Sequence, residues 1–368
     1  MITPFDRSAV PADLVRLAPP DVLRRWTGPD RGYHDPRLVV TVDADGTWTG
    51  AALVTARPRT AYLKIVDVVG VVPPVCDEVV AYARRSGMVQ IKWEGWTAGP
   101  ATGSTATAGP ATGSTATAGP ATGSTATAGP ATGFTAMLPP LPSGPGSAEP
   151  GVSYVRWLAE PSVRESRYYR QTLDFSCGAV TALTAAMRAG DLDAAAFGPD
   201  AEVDFWRAAT NFMACEPVGL GVAVRRARPH VPVHIDLDTD QPVMLGHLTE
   251  RDQQWRARLQ RRSRDEAAEA GVPVESRRLP IDEVTRLTRA GTDVLLLITA
   301  DALHGVAVPH WLLCHGTAGD TVVTEDPFVT PGIGESWVDG HLLPIAAADL
   351  DAMAAIDEGG HRGAVRLG

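Results

Sequence analysis

The stretch from Tyr168 to Met187, YYRQTLDFSCGAVTALTAAM, restricts this chain most, because it fixes a glutamine and a cysteine at the entrance to a helix. From Ala179 onward, Leu183 and Met187 recur at helical spacing among alanines, and Arg188-Ala189-Gly190 supplies a basic last turn and a glycine stop. The spacing predicts a helix with Cys177 in its first turn. Ser176, or Asp174 before it, is placed to cap the free amides, and Gly178 to let another chain or a substrate approach the backbone. A thiol at that position faces the positive end of the helix dipole, which favours the nucleophilic thiolate. Gln171 lies on the chain leading into the helix. Its side-chain amide can aim where the Cys177 backbone N–H also points, and two such donors make an oxyanion hole. An isolated cysteine in a helix is by default a small buried core residue, so its partners decide its role.

Partners occur near the other end. Asp293–Thr299, DVLLLIT, and Pro309–His315, PHWLLCH, are β-rich apolar runs; the second is followed by GTAG and then DTVVTED, which together read as a hairpin. With Thr317-Ala318-Gly319 as a three-residue loop and Gly319 left-handed, His310 falls opposite Asp326, close enough for the carboxylate to hold the imidazole in one orientation. A loop longer by one residue puts Glu325 there instead. Taken alone, a histidine in an apolar strand is more often a satisfied core residue, for His315 above all.

A glutamine, five residues, then a cysteine opening a helix resembles the papain-like cysteine peptidases. Tyr-Tyr-Arg-Gln before Asp-Phe-Ser-Cys-Gly is closest to the bacteriocin-leader (double-glycine) peptidase branch and its stand-alone bacterial relatives. The separation of Cys177 from His310 falls within the roughly 130–150 residues of papain-type enzymes. Pro309-His310-Trp311 and Glu325-Asp326-Pro327 match that family's histidine and aspartate motifs. The resemblance therefore implies catalytic roles for Cys177, His310, Asp326 and Gln171.

A length of 368 residues suggests two domains, with ample apolar content for real cores. A formal charge of −10 argues against nucleic acid or an anionic membrane as the main partner. There is no basic segment followed by an apolar core at the N-terminus and no apolar run of membrane-spanning length, so a cytoplasmic location is expected. The four cysteines, at 76, 177, 215 and 314, form no Cys-x-x-Cys pair. Neither a disulfide framework nor a metal site is indicated, and no cofactor is expected.

Up to about Gly95 the chain alternates strands (Leu38–Val42, Trp48–Thr55, Ala61–Val69), a helix (Cys76–Arg85) and a strand (Met88–Trp93). That order is similar to a GNAT-type acetyltransferase core. Its pyrophosphate loop is missing, because Val69-Gly70-Val71-Val72-Pro73-Pro74 offers one glycine and two prolines, which remove donors that phosphate needs. A degenerate domain without acetyl transfer, serving as a substrate-docking module, is expected. Residues 97–133 carry a ten-residue repeat, TAGPATGSTA, too poor in large apolar side chains to order itself; it reads as a flexible insert. Strands at Phe134–Leu138 and Ser153–Leu158 then resume the domain.

The expected architecture is α+β: a papain-like domain over residues 161–368, preceded over 1–160 by a smaller α/β domain. Between cysteine and histidine, helices are expected at Asp204–Met213, Pro217–Arg228, Glu250–Ala270 and Ile281–Ala290, with a strand at Val231–Asp236. The arginines of the third helix read as a solvated face. Cys215 is a second thiol just before a helix, but no glutamine precedes it at the required distance. The expected function is a cysteine-dependent hydrolase cleaving a peptide or small amide or thioester, with a carrier or precursor peptide as a candidate partner. Alternatives are an acyl- or aminoacyl-transferase on the same site and a non-catalytic peptide-binding module.

Overall fold

A computed structural model of the protein describes residues 1–95, 133–143, 151–210, 212–246 and 248–368. The repeat expected as a flexible insert lies outside the described residues, apart from Gly133. Among the described residues, two sheets share no strand. No helix there is long and apolar enough to cross a membrane.

The first sheet is built from β1 (Ile2–Pro4), β2 (Arg37–Val42), β3 (Trp48–Thr55), β4 (Tyr62–Gly70), β5 (Gln90–Trp93), β6 (Thr135–Ala136) and β7 (Tyr154–Trp157), in the order β1-β2-β3-β4-β5-β7-β6. Its pairs are antiparallel except β4 with β5. A parallel pair needs a long crossover, supplied here by α3 (Val72–Arg85). Val75, Cys76, Val79, Val80 and Ala83 of α3 pack on Val39, Ala52, Val54 and Ile65. The opposite face is covered by α1 (Ala12–Leu17) and α2 (Pro20–Thr27) through Leu14 and Trp26.

The second unit contributes β8 (Pro161–Ser162), α4 (Cys177–Ala189), α5 (Pro199–Ala209), α6 (Pro217–Ala227), β9 (Val233–Leu237), α7 (Glu250–Glu269), β10 (Val274–Glu275), α8 (Ile281–Arg289) and β11 (Asp293–Thr299). It continues with α9 (Asp301–His304), β12 (Pro309–Ala318), β13 (Thr321–Glu325), α10 (Trp337–Gly340), β14 (Leu343–Ala346), α11 (Ala347–Met353) and β15 (Gly363–Leu367). The sheet order is β10-β9-β15-β11-β12-β13-β14, with β8 on β12. Alternation along β11 and β12 feeds two cores. Leu295, Leu297, Trp311 and Leu313 face α4 and α6, whereas Leu296, Ile298, Leu312 and Cys314 face α8 and α11.

The helix expected at Cys76–Arg85 starts at Val72, with prolines in its first turn, and two expectations nearer the site also change. The helix expected at Asp204–Met213 is α5, which starts earlier because Pro199 takes its first turn, where a missing N–H costs nothing, and ends at Ala209. The β12–β13 loop has two residues rather than three, since Ala318 pairs with Thr321; Gly319 is left-handed, as expected (φ +56°). A register shift between Cys314 and Gly316 then sets Cys314 opposite Thr324 and Leu313 opposite Glu325. Continued by one residue, that ladder faces Asp326 with Leu312, so His310 is not the directly opposed residue.

The two sheets meet through an apolar cluster holding Met137, Val155, Tyr168, Val323, Trp337 and Leu342. Beside it lies a buried polar seam. Lys64 of β4 binds Glu94 (2.8 Å) and Asp339 (2.6 Å), and the Tyr62 hydroxyl donates to Asp339 (2.7 Å). Lys92 of β5 donates to the carbonyls of Val338 and His341. Burial pushes the Lys92 ammonium down to about 7.

Candidate functional site

Cys177 is the first residue of α4, buried at its N-terminal end, and Gly190 closes the helix in the left-handed conformation. The expected side-chain cap is absent: Ser176 makes no cap bond, and its hydroxyl donates instead to the Leu173 carbonyl (2.9 Å) and to Glu202. Gly178 does not open the backbone to a visitor either. A Cβ there would stand 3.0 Å from Cys215 and 3.1 Å from Trp311, so the glycine lets α4 settle onto its own chain. Trp311 is in turn held by an indole bond to the Cys215 carbonyl (3.0 Å). Cys215 is fully buried, and burial pushes its thiol far up, which leaves it protonated.

Glu202 was not singled out from the sequence, yet it organises the segment leading to Cys177. Its fully buried carboxylate accepts from the Tyr169 hydroxyl (2.8 Å), the Thr172 amide (2.9 Å) and the Thr172 hydroxyl (2.7 Å), besides Ser176. Burial, then the Glu202 charge, push the Tyr169 phenol up. The same segment is tied to the far strand: Tyr168 donates to the Asp326 carbonyl (2.7 Å), and the Gln171 amide N–H to the Pro327 carbonyl (2.9 Å). The Gln171 side chain donates one hydrogen to the Leu173 carbonyl (2.7 Å) and lines the same cleft as Cys177 and His310. An amide nitrogen carries two hydrogens, so one stays available.

His310 Nε2 lies 2.8 Å from Asp326 Oδ1. Cys177 lines the same cleft and acts on the ring by charge and as a hydrogen-bonding group; with Nε2 on Asp326, Nδ1 is the nitrogen left to face the sulfur. Thus three residues from α4, β12 and the end of β13 meet, although the ladder does not oppose the last two. His310 and Leu312 share a face by period-two alternation, so a carboxylate opposite position 312 reaches the histidine as a diagonal neighbour. Burial works against charge on His310, but the Asp326 carboxylate and the sulfur outweigh it and raise the imidazole to about 10.

Asp326 holds more than one partner, and two of them carried no signal in the sequence. His304 Nε2, at the end of α9, is 2.9 Å from Oδ2. Arg57, from the loop after β3 in the first unit, donates to Oδ2 at 2.6 Å, to Glu335 at 2.6 Å and to the Phe328 carbonyl at 3.1 Å. The side chains of Arg57, Asp326 and Glu335 are all fully buried. Burial opposes the Asp326 charge, yet the two imidazoles and the guanidinium hold its carboxyl well below the usual range. His304 is driven down, mainly by burial. The ligand atoms of His304, His310 and Asp326 lie within 4.8 Å of one another, the spacing a metal ion needs. Arg57 already places a fixed positive charge on that carboxylate, which disfavours a second cation there.

Glu325, the alternative partner, points elsewhere. It is 2.9 Å from His341 Nδ1 and 3.2 Å from His315 Nε2, in a separate buried cluster. In front of Cys177 and His310 opens a cleft of about 480 Å³, walled mainly by Phe175, Phe212, Met213, Met244, Val308 and Phe328.

No curated protein matches the chain. A profile of the Peptidase_C39 like family matches residues 166–368, the portion that holds α4, the cleft and Asp326 with its two histidines, but not Arg57; it stops short of the first sheet, for which the acetyltransferase likeness gains no support. The chain belongs to the Peptidase_C39 like family.

Proposed function

We propose that the protein is a cysteine-dependent amide hydrolase acting on peptides, with Cys177 as nucleophile and His310 as its acid–base partner. Asp326 orients the imidazole, and Gln171 with the Cys177 backbone N–H forms the oxyanion hole. The observation that carries this reading is the chain of contacts from the sulfur through His310 to Asp326 at the mouth of an apolar cleft. An imidazole raised to about 10 stays protonated at neutral pH and is ready to act as the acid toward a leaving amine.

The thiolate attacks the carbonyl carbon, and the oxyanion is held by the two N–H donors. His310 gives its proton to the departing amine as the C–N bond breaks, leaving a thioester on Cys177. Neutral His310 then takes a proton from water, the hydroxide adds to the thioester, and the acid is released as the thiol re-forms. We take a precursor or carrier-borne peptide as the candidate substrate. We take the first unit, residues 1–160, as a support without acetyl transfer: it keeps the strand–helix–strand order behind the acetyltransferase likeness, its α3 begins with prolines, and Arg57 reaches from it into the site.

Labelling tests the reading. Cys177 is expected to alkylate with iodoacetamide well below pH 8, while the buried Cys76, Cys215 and Cys314 stay unmodified. Slow, uniform modification of all four thiols would refute it. An acyl acceptor that diverts product from free acid to amide would show transfer in place of hydrolysis.

A further inference from the structure

One charged group in the cleft has no place in the chemistry above. Arg256, on α7, is 4% exposed and lines the cleft beside Met244, Phe212 and Ala214. Its guanidinium donates to the Ala214 carbonyl (3.1 Å), contacts the Met244 sulfur (3.7 Å) and lies over the Phe212 ring (4.9 Å). Nε is buried without an acceptor, and among the described residues no carboxylate stands at ion-pair distance from the group, the charges of Glu216 and Asp357 acting on it from further off. The nearby acids are committed elsewhere: Glu216 caps α6 through the amides of Val218 (2.7 Å) and Gly219 (2.6 Å), and Asp357 accepts from the Met244 amide (2.6 Å). Asp174, at the rim of the cleft, is exposed and makes no ion pair with it. Cys177 and Arg256 line one cleft, and the 214–215 segment touches both ends: Cys215 packs against Gly178, the residue after Cys177, and the Ala214 carbonyl accepts from Arg256, so one bound peptide can reach both.

A guanidinium is always charged, and removing one from water without a counter-ion is costly. That cost is recovered where a ligand brings the missing charge. We propose that Arg256 is an anion subsite of the Cys177 cleft, so that the substrate carries a carboxylate a few bonds from the scissile amide, as an acidic side chain or a chain terminus. The apolar walls then receive the flanking side chains, and the guanidinium fixes the register through charge-assisted hydrogen bonds. This deepens the reading of the cleft as the reactive site and rests on it.

The test uses three near-isosteric probes on the Cys177→Ala protein, so that binding is read without reaction: acetyl-Ala-Glu α-amide, acetyl-Ala-Gln with a free terminal carboxylate, and neutral acetyl-Ala-Gln α-amide. At least one anionic probe is expected to bind about 10- to 100-fold more tightly than the neutral one, and which does so separates side chain from terminus. Arg256→Gln should erase that preference while leaving neutral-probe affinity unchanged, and Arg256→Lys should keep part of it. Equal affinities for all three probes, or a preference that survives in Arg256→Gln, would overturn the subsite. Failure of Cys177 to alkylate in the wild-type protein would instead remove the catalytic reading, so the two failures are distinguishable.

Discussion

Two neighbouring acids, Glu325 and Asp326, each hold two histidines in a fully buried setting, and only one of them serves the cleft. Glu325 sits between His341 and His315, and His341 reaches on to Glu165 at 3.2 Å. Asp326 sits between His310 and His304, with Arg57 as a third partner. Both carboxyls are depressed below their ordinary range, against burial, by the imidazoles around them. The contrast lies in what the far side of the imidazole meets. His310 meets a sulfur at a helix N-terminus and an open cleft, whereas His341 meets another carboxylate inside the seam between the sheets. A carboxylate that orders histidines is therefore a structural device first; it becomes a candidate for catalysis where a nucleophile and access are added.

Experiments that separate the clusters should differ most at the histidines. His310→Ala is expected to slow iodoacetamide alkylation of Cys177 at pH 6.5 by about 10²-fold or more. An equal loss in His341→Ala would erase the distinction. Next in size, Asp326→Asn should slow the same reaction by about 10- to 1000-fold, since an opposite charge at hydrogen-bond distance shifts its partner's pKa by about 1–3 units. Glu325→Gln should leave the labelling rate near that of the wild type and lower the denaturant midpoint, by about 1–3 kcal/mol in unfolding free energy.

Arg57 probes the reach of the first unit. Arg57→Ala leaves Asp326 and Glu335 buried without their cation and should cost about 3–5 kcal/mol of stability. It should also displace the pH profile of Cys177 labelling, which a purely structural role would leave in place; Arg57→Lys should restore part of both. The smallest effect is on pH dependence. His310 binds its proton more tightly in the folded chain than at the unfolded value of about 6.5. Its stabilisation is therefore complete below about pH 6.5 and is lost as pH rises through about 10. Thermal melting across pH 7–10 should show that decline, with a shallower slope in His310→Gln. An unchanged alkaline limb in the variant would mean that His310 carries no proton there.

The elements around the site were legible because each is a local pattern. The alanine-rich run with a glycine stop gives α4, and the apolar runs give β11, β12 and β13 with bounds close to those expected. Gln171, Cys177, His310 and Asp326 could be singled out because their spacing is stored in the chain itself. The register was not legible: the two-residue loop and the irregularity at His315 shift the ladder, and neither has a marker beyond the glycine. Glu202, His304 and Arg57 were also silent, since an acid in an amphipathic helix, a histidine in a short turn and an arginine after a strand look like solvated residues until they are packed.

The sequence by itself determined the helix and strands that flank the site, α4, β11, β12 and β13, and which thiol opens a helix, because propensity and periodicity act over a few residues. Tertiary structure alone decided that Asp326 is shared by His310, His304 and an arginine about 270 positions away, that Glu325 is not its substitute, and that the Nε of Arg256 is buried in the cleft wall without an acceptor among the described residues. The reason is physical. The protonation and orientation of these groups are set by burial and by charges a few ångströms away in space, and those neighbours exist only after the two sheets have closed on one another.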